Sequence, residues 1–119
     1  MTDCRSQIGL GYIWQQDGAP SHTARSTQTY LEAHTEVFIN KNQWPPNSPD
    51  LNPMDYGIWA AMDEKLRKLQ SNNLQDLQRN ITNVWRRLSQ RFIGSVVRQF
   101  PGRLQKVIDN NGSCIEHAL

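Results

Sequence analysis

Between residues 40 and 53 the chain reads NKNQWPPNSPDLNP, with prolines at 45, 46, 49 and 53. Each proline fixes φ near about −65° and removes a backbone donor, so neither a helix interior nor a central strand can run through this segment. It must be a stiff irregular loop, and such loops often carry function. The pattern changes across it. Before the loop, Tyr12 to Gln16 has the aromatic and β-branched residues of a strand. Asp17-Gly18-Ala19-Pro20 breaks that strand, Ser21 is placed to cap a helix running to about His34, and Thr35 to Ile39 reads as a second strand. Strand, helix, strand in that order predicts a βαβ unit with a right-handed crossover.

After the loop the period is helical. Asn52 caps and Pro53 takes the first position of a helix expected to reach about Leu69. Beyond Asn72-Asn73, the residues Leu74, Leu77, Ile81, Val84 and Leu88 recur at spacings of three and four. Phe92, Val96 and Phe100 mark a further helical stretch. Pro101 starts the last helix, with Leu104, Val107 and Ile108 expected inward and Gly112 as its stop. The fold class is therefore α/β, two strands followed by several helices, and 119 residues suit one domain.

Hydrophobic residues make up 37% and charged residues 20%, a globular composition. No apolar run approaches the roughly 18 residues of a membrane span. The N-terminal MTDCRSQIGLGYIW has no apolar stretch behind basic residues, so no secretory signal is expected. The cysteines, Cys4 and Cys114, make no disulfide framework, no Cys/His pair has zinc spacing, and His22, His34 and His117 are scattered. A reducing compartment, cytosol or nucleus, is expected. Charge is uneven: residues 1–59 carry −3 and residues 60–119 carry +5, within a net +2. A basic helical part beside an acidic part suits a polyanion partner near a cation-binding site, although ordinary solvated helix faces would give the same balance.

Two carboxylates draw chemical interest. Asp17 sits where a strand ends, the place where ligand sites gather in α/β sheets; an ordinary turn aspartate bonding its own backbone is the alternative. On a helical wheel, Met54, Ile58, Trp59, Met62, Leu66 and Leu69 share a face, and Asp55 falls in the middle of it. A carboxylate aimed at a core is costly unless paired, hydrogen-bonded or metal-bound; an Asn52–Asp55 capping arrangement is the other way to place it. Two inward carboxylates are what a hard divalent cation such as Mg²⁺ takes, with a third ligand expected for a two-metal site.

The segment QQDGAPSHTA (15–24) resembles the block around the second catalytic aspartate of Tc1/mariner-type transposases, and WPPNSPDLNPMDYGIW (44–59) resembles the block that ends in their third catalytic acid. The stretches IWAAMDEKLRKL, LQDLQRNITNVW and RLQKVIDNNG resemble the helical C-terminus of that family, so the likeness covers about residues 12–112. It implies a partial RNase H-like fold, with residues 1–11 as a lead-in, 12–59 as a metal-site segment and 60–119 as a basic helical tail. It makes Asp17 and Asp55 the catalytic, metal-binding residues, with Mg²⁺ or Mn²⁺ as cofactor, and leaves Asp50 to shape the loop. The implied activity is DNA cleavage and strand transfer in cut-and-paste transposition, in the nucleus, with transposon ends and target DNA as partners, room for a homodimer, and no membrane. His22 is expected to cap or pack at its helix start, and Trp44 and Trp59 to lie in the core.

The sequence departs from the family pattern in three ways. Asp55 stands where Tc1-like members carry glutamate. The 37 residues between the two acids are a long gap. The first catalytic aspartate and the N-terminal DNA-binding region are not found, since Asp3 is too near Asp17. The chain is expected to be a C-terminal fragment, inactive as a nuclease by itself and poorly stable. A non-catalytic nucleic-acid or protein interaction module derived from a transposon, or a relic without a role, are the rival readings.

Overall fold

A computed structural model of the chain describes residues 11–113; Asp3, Cys4, Cys114, His117 and most of the expected lead-in lie outside them. The βαβ order is present. Strands β1 (Ile13–Trp14) and β2 (Val37–Phe38) pair in parallel, Ile13 opposite Val37 and Trp14 opposite Phe38. Both are shorter than the expected five-residue runs. A ladder is held by its neighbours, and in this two-stranded sheet each strand has a partner on one side.

The single helix expected between the strands is two. Helix α1 (Pro20–Thr23) begins with Ala19 as its cap residue and Pro20 in the first turn, so Ser21 lies inside it rather than capping. Ala24, with φ −56° and ψ 140°, is extended and breaks the run before α2 (Arg25–His34). Side chains bridge the break: Thr27 Oγ1 donates to the Ser21 carbonyl at 2.8 Å, and Gln28 Nε2 to the His22 carbonyl at 2.8 Å. These bonds satisfy carbonyls that a helix end leaves open. Leu31 anchors α2 as its buried apolar residue.

The proline loop closes in a 3₁₀ turn (Pro49–Leu51) that buries Leu51. Asn52 is also buried; its Oδ1 accepts the Met54 N–H at 3.1 Å, which bears out its capping role. The first turn after Pro53 is not α but π, spanning Met54–Ile58, with the Trp59 N–H reaching back to the Met54 carbonyl. Helix α3 (Trp59–Arg67) continues it. Then come α4 (Leu74–Arg87), α5 (Gln90–Arg98) and α6 (Phe100–Asp109). Asn73 caps α4 by accepting the Asp76 N–H at 2.8 Å, and Ser89 caps α5 by accepting that of Phe92 at 3.0 Å. At the end of α6, Asn111 takes the left-handed position (φ 55°) and Gly112 follows at φ 83°. The Gly112 N–H bonds the Val107 carbonyl at 2.8 Å and the Asn111 N–H that of Ile108 at 3.1 Å, a Schellman stop one residue earlier than Gly112 alone suggests.

Ile58, Met62, Val84, Leu88 and Val96 form the core of these helices, with Met54, Tyr56, Leu66, Phe92 and Ile93 packed around it. The apolar stripes are only partly used. Val84 on α4 and Leu88 just past its end are buried, but Leu74, Leu77 and Ile81 are exposed. On α6, Val107 is half-buried while Leu104 and Ile108 face out. Trp44 is half-buried and Trp59 exposed, so neither is the core residue expected of it. The chain folds as two compact units, one ending at Asn47 and the other beginning at Ser48. Among the described residues, no helix is long and apolar enough to cross a membrane.

Candidate metal-binding carboxylates

Asp17 lies three residues past β1, in the turn into α1. Its Oδ1 accepts the Ala19 N–H at 3.1 Å, a two-residue Asx turn that starts the chain toward Pro20. The same oxygen stands 2.6 Å from His22 Nδ1, whose N–H donates to the carboxylate. His22, expected to cap or pack at its helix start, instead holds Asp17; the break at Ala24 keeps α1 to a single turn. The Ala19 amide, and then the His22 ring, hold the Asp17 carboxyl below the usual carboxylate range. Both side chains remain open to solvent, His22 at 36% and Asp17 at 53%. The turn aspartate and the candidate ligand are thus the same geometry: one oxygen is fixed by the backbone and by His22 on an ionised, accessible group.

A cleft of about 320 Å³ opens beside Asp17 in the same unit, lined also by Phe38, Lys41, Trp44 and Pro45. Lys41 is tied into it, its backbone N–H to Gln28 Oε1 at 3.0 Å and its Nζ to the Thr23 carbonyl at 3.3 Å. The cleft is thus lined by both a cation and a carboxylate.

Asp55, in the second unit, is exposed and does not face the core as the helical wheel implied. The π turn is the reason. It carries one residue more than an α turn, so residues before it slip by about 100° against a wheel anchored on the residues after it. Ile58, Met62 and Leu66 keep the inward face, and Asp55 turns out to water. The Asn52 N–H goes to the Pro49 carbonyl at 3.2 Å, so it does not complete a reciprocal capping box with Asp55. The carboxylate sits in a helical first turn, where the backbone favours negative charge.

The residues after Asp55 are held from the far end of the chain. Tyr56 Oη donates to the Val96 carbonyl at 2.6 Å. Gly57 lies against Val96 so closely that a Cβ there would meet its Cγ1 at 2.6 Å. The Arg103 guanidinium lies 3.7 Å over the Tyr56 ring, and its Nη1 donates to the Asp50 carbonyl at 3.1 Å. Burial pushes the Tyr56 phenol up, with the Arg103 cation pulling the other way. No local pattern marks Arg103 for this role, because its partners lie far back in the chain, at Tyr56 and Asp50.

No family model matches the chain. The Tc1 transposase of Caenorhabditis elegans is 29% identical over 105 residues, which is 88% of this chain. The Mos1 mariner transposase of Drosophila mauritiana is 27% identical over 104 residues, 87% of this chain. The chain is thus similar to transposases of Tc1 and mariner elements. The chain spans 37% of the Tc1 protein and 29% of the Mos1 protein. The crystal structure of the Mos1 catalytic domain superposes with a TM-score of 0.79 at 24% identity, covering 97% of this chain and 55% of that one. The chain thus has part of an RNase H-like fold. Mos1 catalytic domain structures with Mn and with Mg match at TM-scores of 0.78 and 0.79. The human histone-lysine N-methyltransferase SETMAR is 30% identical over 113 residues, with the chain covering 16% of that protein. Among the described residues, no three His, Cys, Asp or Glu side chains gather as a metal cluster.

Proposed function

We propose that Asp17 and Asp55 are two carboxylate ligands of a divalent-metal site, Mg²⁺ or Mn²⁺, in a DNA cleavage and strand-transfer domain of transposition. The observation that carries the reading is the coverage of 97% of the chain by the Mos1 catalytic domain fold, with Asp17 at a strand end and Asp55 in an exposed first turn. The donors fit the ion: both are hard oxygens, both are accessible, and Asp17 is held ionised below the usual range. When bound, such an ion supplies charge neutralisation at the scissile phosphate and lowers the pKa of a water or hydroxyl nucleophile. Asp17 and Asp55 would hold it, His22 would fix the Asp17 carboxylate, and Lys41 would meet an incoming phosphate. Among the described residues no third His, Cys, Asp or Glu completes a cluster, and residues 1–119 by themselves are proposed not to cleave DNA. The work would be done in the nucleus, where the DNA is, and a homodimer is compatible with it.

Mn²⁺ binding followed by electron paramagnetic resonance tests the site: Asp17→Asn and Asp55→Asn should each weaken it about tenfold or more, the loss of one charged ligand. Binding unchanged in both variants would overturn the assignment. Nicking of supercoiled DNA by the chain alone, abolished by either substitution, would contradict its inactivity while keeping the site.

The +5 balance of residues 60–119 favours a second reading, in which the chain is a non-catalytic nucleic-acid or protein interaction module. Arg86 and Arg87 are exposed at the end of α4. Binding through such residues would be insensitive to sequence and steeply salt-dependent, because phosphate contacts release counterions. Charge reversal at Arg86 and Arg87 should reduce both affinity and salt slope. Affinity equal at low and high salt would refute it.

A further inference from the structure

We propose that Arg103 is a positioning residue for Asp55, acting through Tyr56 and the 3₁₀ turn; the inference rests on the metal-site reading only for what Asp55 does once placed. A π turn closes longer rings than an α turn and persists only where packing holds it. Here the ring-closing bond from the Trp59 N–H to the Met54 carbonyl is supported from outside. Arg103 makes two contacts that no other residue type can make together. Its planar cation covers the face of Tyr56 at 3.7 Å, and Nη1 reaches the Asp50 carbonyl at 3.1 Å. The Gln99 Oε1 accepts from both Nε and Nη2 at 3.3 Å, fixing the guanidinium plane from one turn earlier in the chain. One side chain of α6 therefore joins the residue before the buried Leu51 and Asn52 to the residue after Asp55.

The geometry of Tyr56 and Gly57 shows what this controls. Tyr56 is pinned at both ends, by Arg103 at its ring and by the Val96 carbonyl at its hydroxyl. Gly57 follows in close contact with Val96. Ile58 and Met62 are locked in the core. If the turn relaxed to α geometry, the change of about 100° could not be taken up by the locked side and would fall on Met54 and Asp55. Arg103 thus sets the direction of the Asp55 carboxylate without touching it.

The test is backbone hydrogen exchange in the protein carrying Arg103→Lys, which keeps the charge but loses the plane and the fork. Protection at the amides of Asp55 to Trp59 should fall about tenfold or more, the loss of a charge-assisted bond, while α4 keeps its protection. Tyr56→Leu, which keeps apolar bulk, should cause the same local loss and stands in if Arg103→Lys does not fold. Unchanged protection at 55–59, or a loss spread evenly over α4 and α5, would overturn the proposal. Mn²⁺ binding should weaken in Arg103→Lys but not in Arg79→Lys, a change at an exposed side chain of α4. If Asp55→Asn leaves Mn²⁺ binding intact, the metal reading fails while the exchange result still decides the positioning role.

Discussion

The unit ending at Asn47 and the unit beginning at Ser48 place their candidate carboxylates by different means. In the first, Leu31 is the buried apolar side chain among the described residues, and the strand residues Ile13 and Val37 are 64% and 47% exposed. Trp14 Nε1, Gln15 Nε2 and Gln16 Oε1 are buried without a partner among the described residues. In the second, six apolar side chains from Leu51 to Val96 are buried. A helix satisfies its own backbone and needs only one face covered, whereas a strand needs neighbours. Asp17 is accordingly set by local contacts two and five residues away, the Ala19 amide and His22. Asp55 is set by a framework reaching to Val96 and Arg103.

The largest test of that difference is core truncation. Met62→Ala should cost about 2–5 kcal/mol, as for a fully buried methionine. Thermal unfolding of the helical part would fall accordingly, while an NMR probe of the Asp17–His22 contact should not move. A lost Asp17–His22 contact in that variant would mean that the two units share their stability. Gly57→Ala comes next. Alanine normally favours a helix over glycine by about 1 kcal/mol, but here its Cβ would lie 2.6 Å from Val96 Cγ1. Overpacking of this kind costs about 1–3 kcal/mol, so denaturant unfolding should show net destabilisation. A stabilised variant would place Val96 elsewhere.

Removing a cap is a smaller change. Ser89→Ala leaves the Phe92 N–H without its acceptor and should cost about 1 kcal/mol in the second unit. The smallest effect belongs to Asp17. Its folded pKa lies below the ordinary value of 3.8, so its contribution to stability is full above that value and is lost as the pH falls through the depressed one. Asp17→Asn should abolish that acid limb, and solvent exposure keeps it slight. His22→Ala should raise the Asp17 carboxyl only part of the way, since the Ala19 amide is the larger cause. A ¹³C carboxyl titration reads both, and full restoration of the ordinary value by His22→Ala would reverse that ranking.

Much of this was legible. The strand–helix–strand order, the cap at Asn52, the helix from Leu74 and the stop near Gly112 follow from residue spacing and turn chemistry. What escaped was set by long-range contacts. The π turn cannot be read from an α wheel, so the wheel turns Asp55 inward. The break at Ala24 needs the side chains of Thr27 and Gln28 to satisfy it. Arg103 carries no local signal of its partnership with Tyr56, 47 positions before it. His22 had a signal, five residues beyond Asp17 and across Pro20, but only the short first helix turns that spacing into a contact.

The most direct test of the metal-site reading is paramagnetic broadening by substoichiometric Mn²⁺ in a ¹H–¹⁵N spectrum of the chain. It reports even weak binding, as expected where one ligand comes from elsewhere. If Asp17 and Asp55 hold the same site, the amides of residues 16–18 and 54–56 broaden together, and Asp17→Asn or Asp55→Asn relieves both sets at once. Broadening confined to one carboxylate, or relieved at only one set by each substitution, would contradict a shared site.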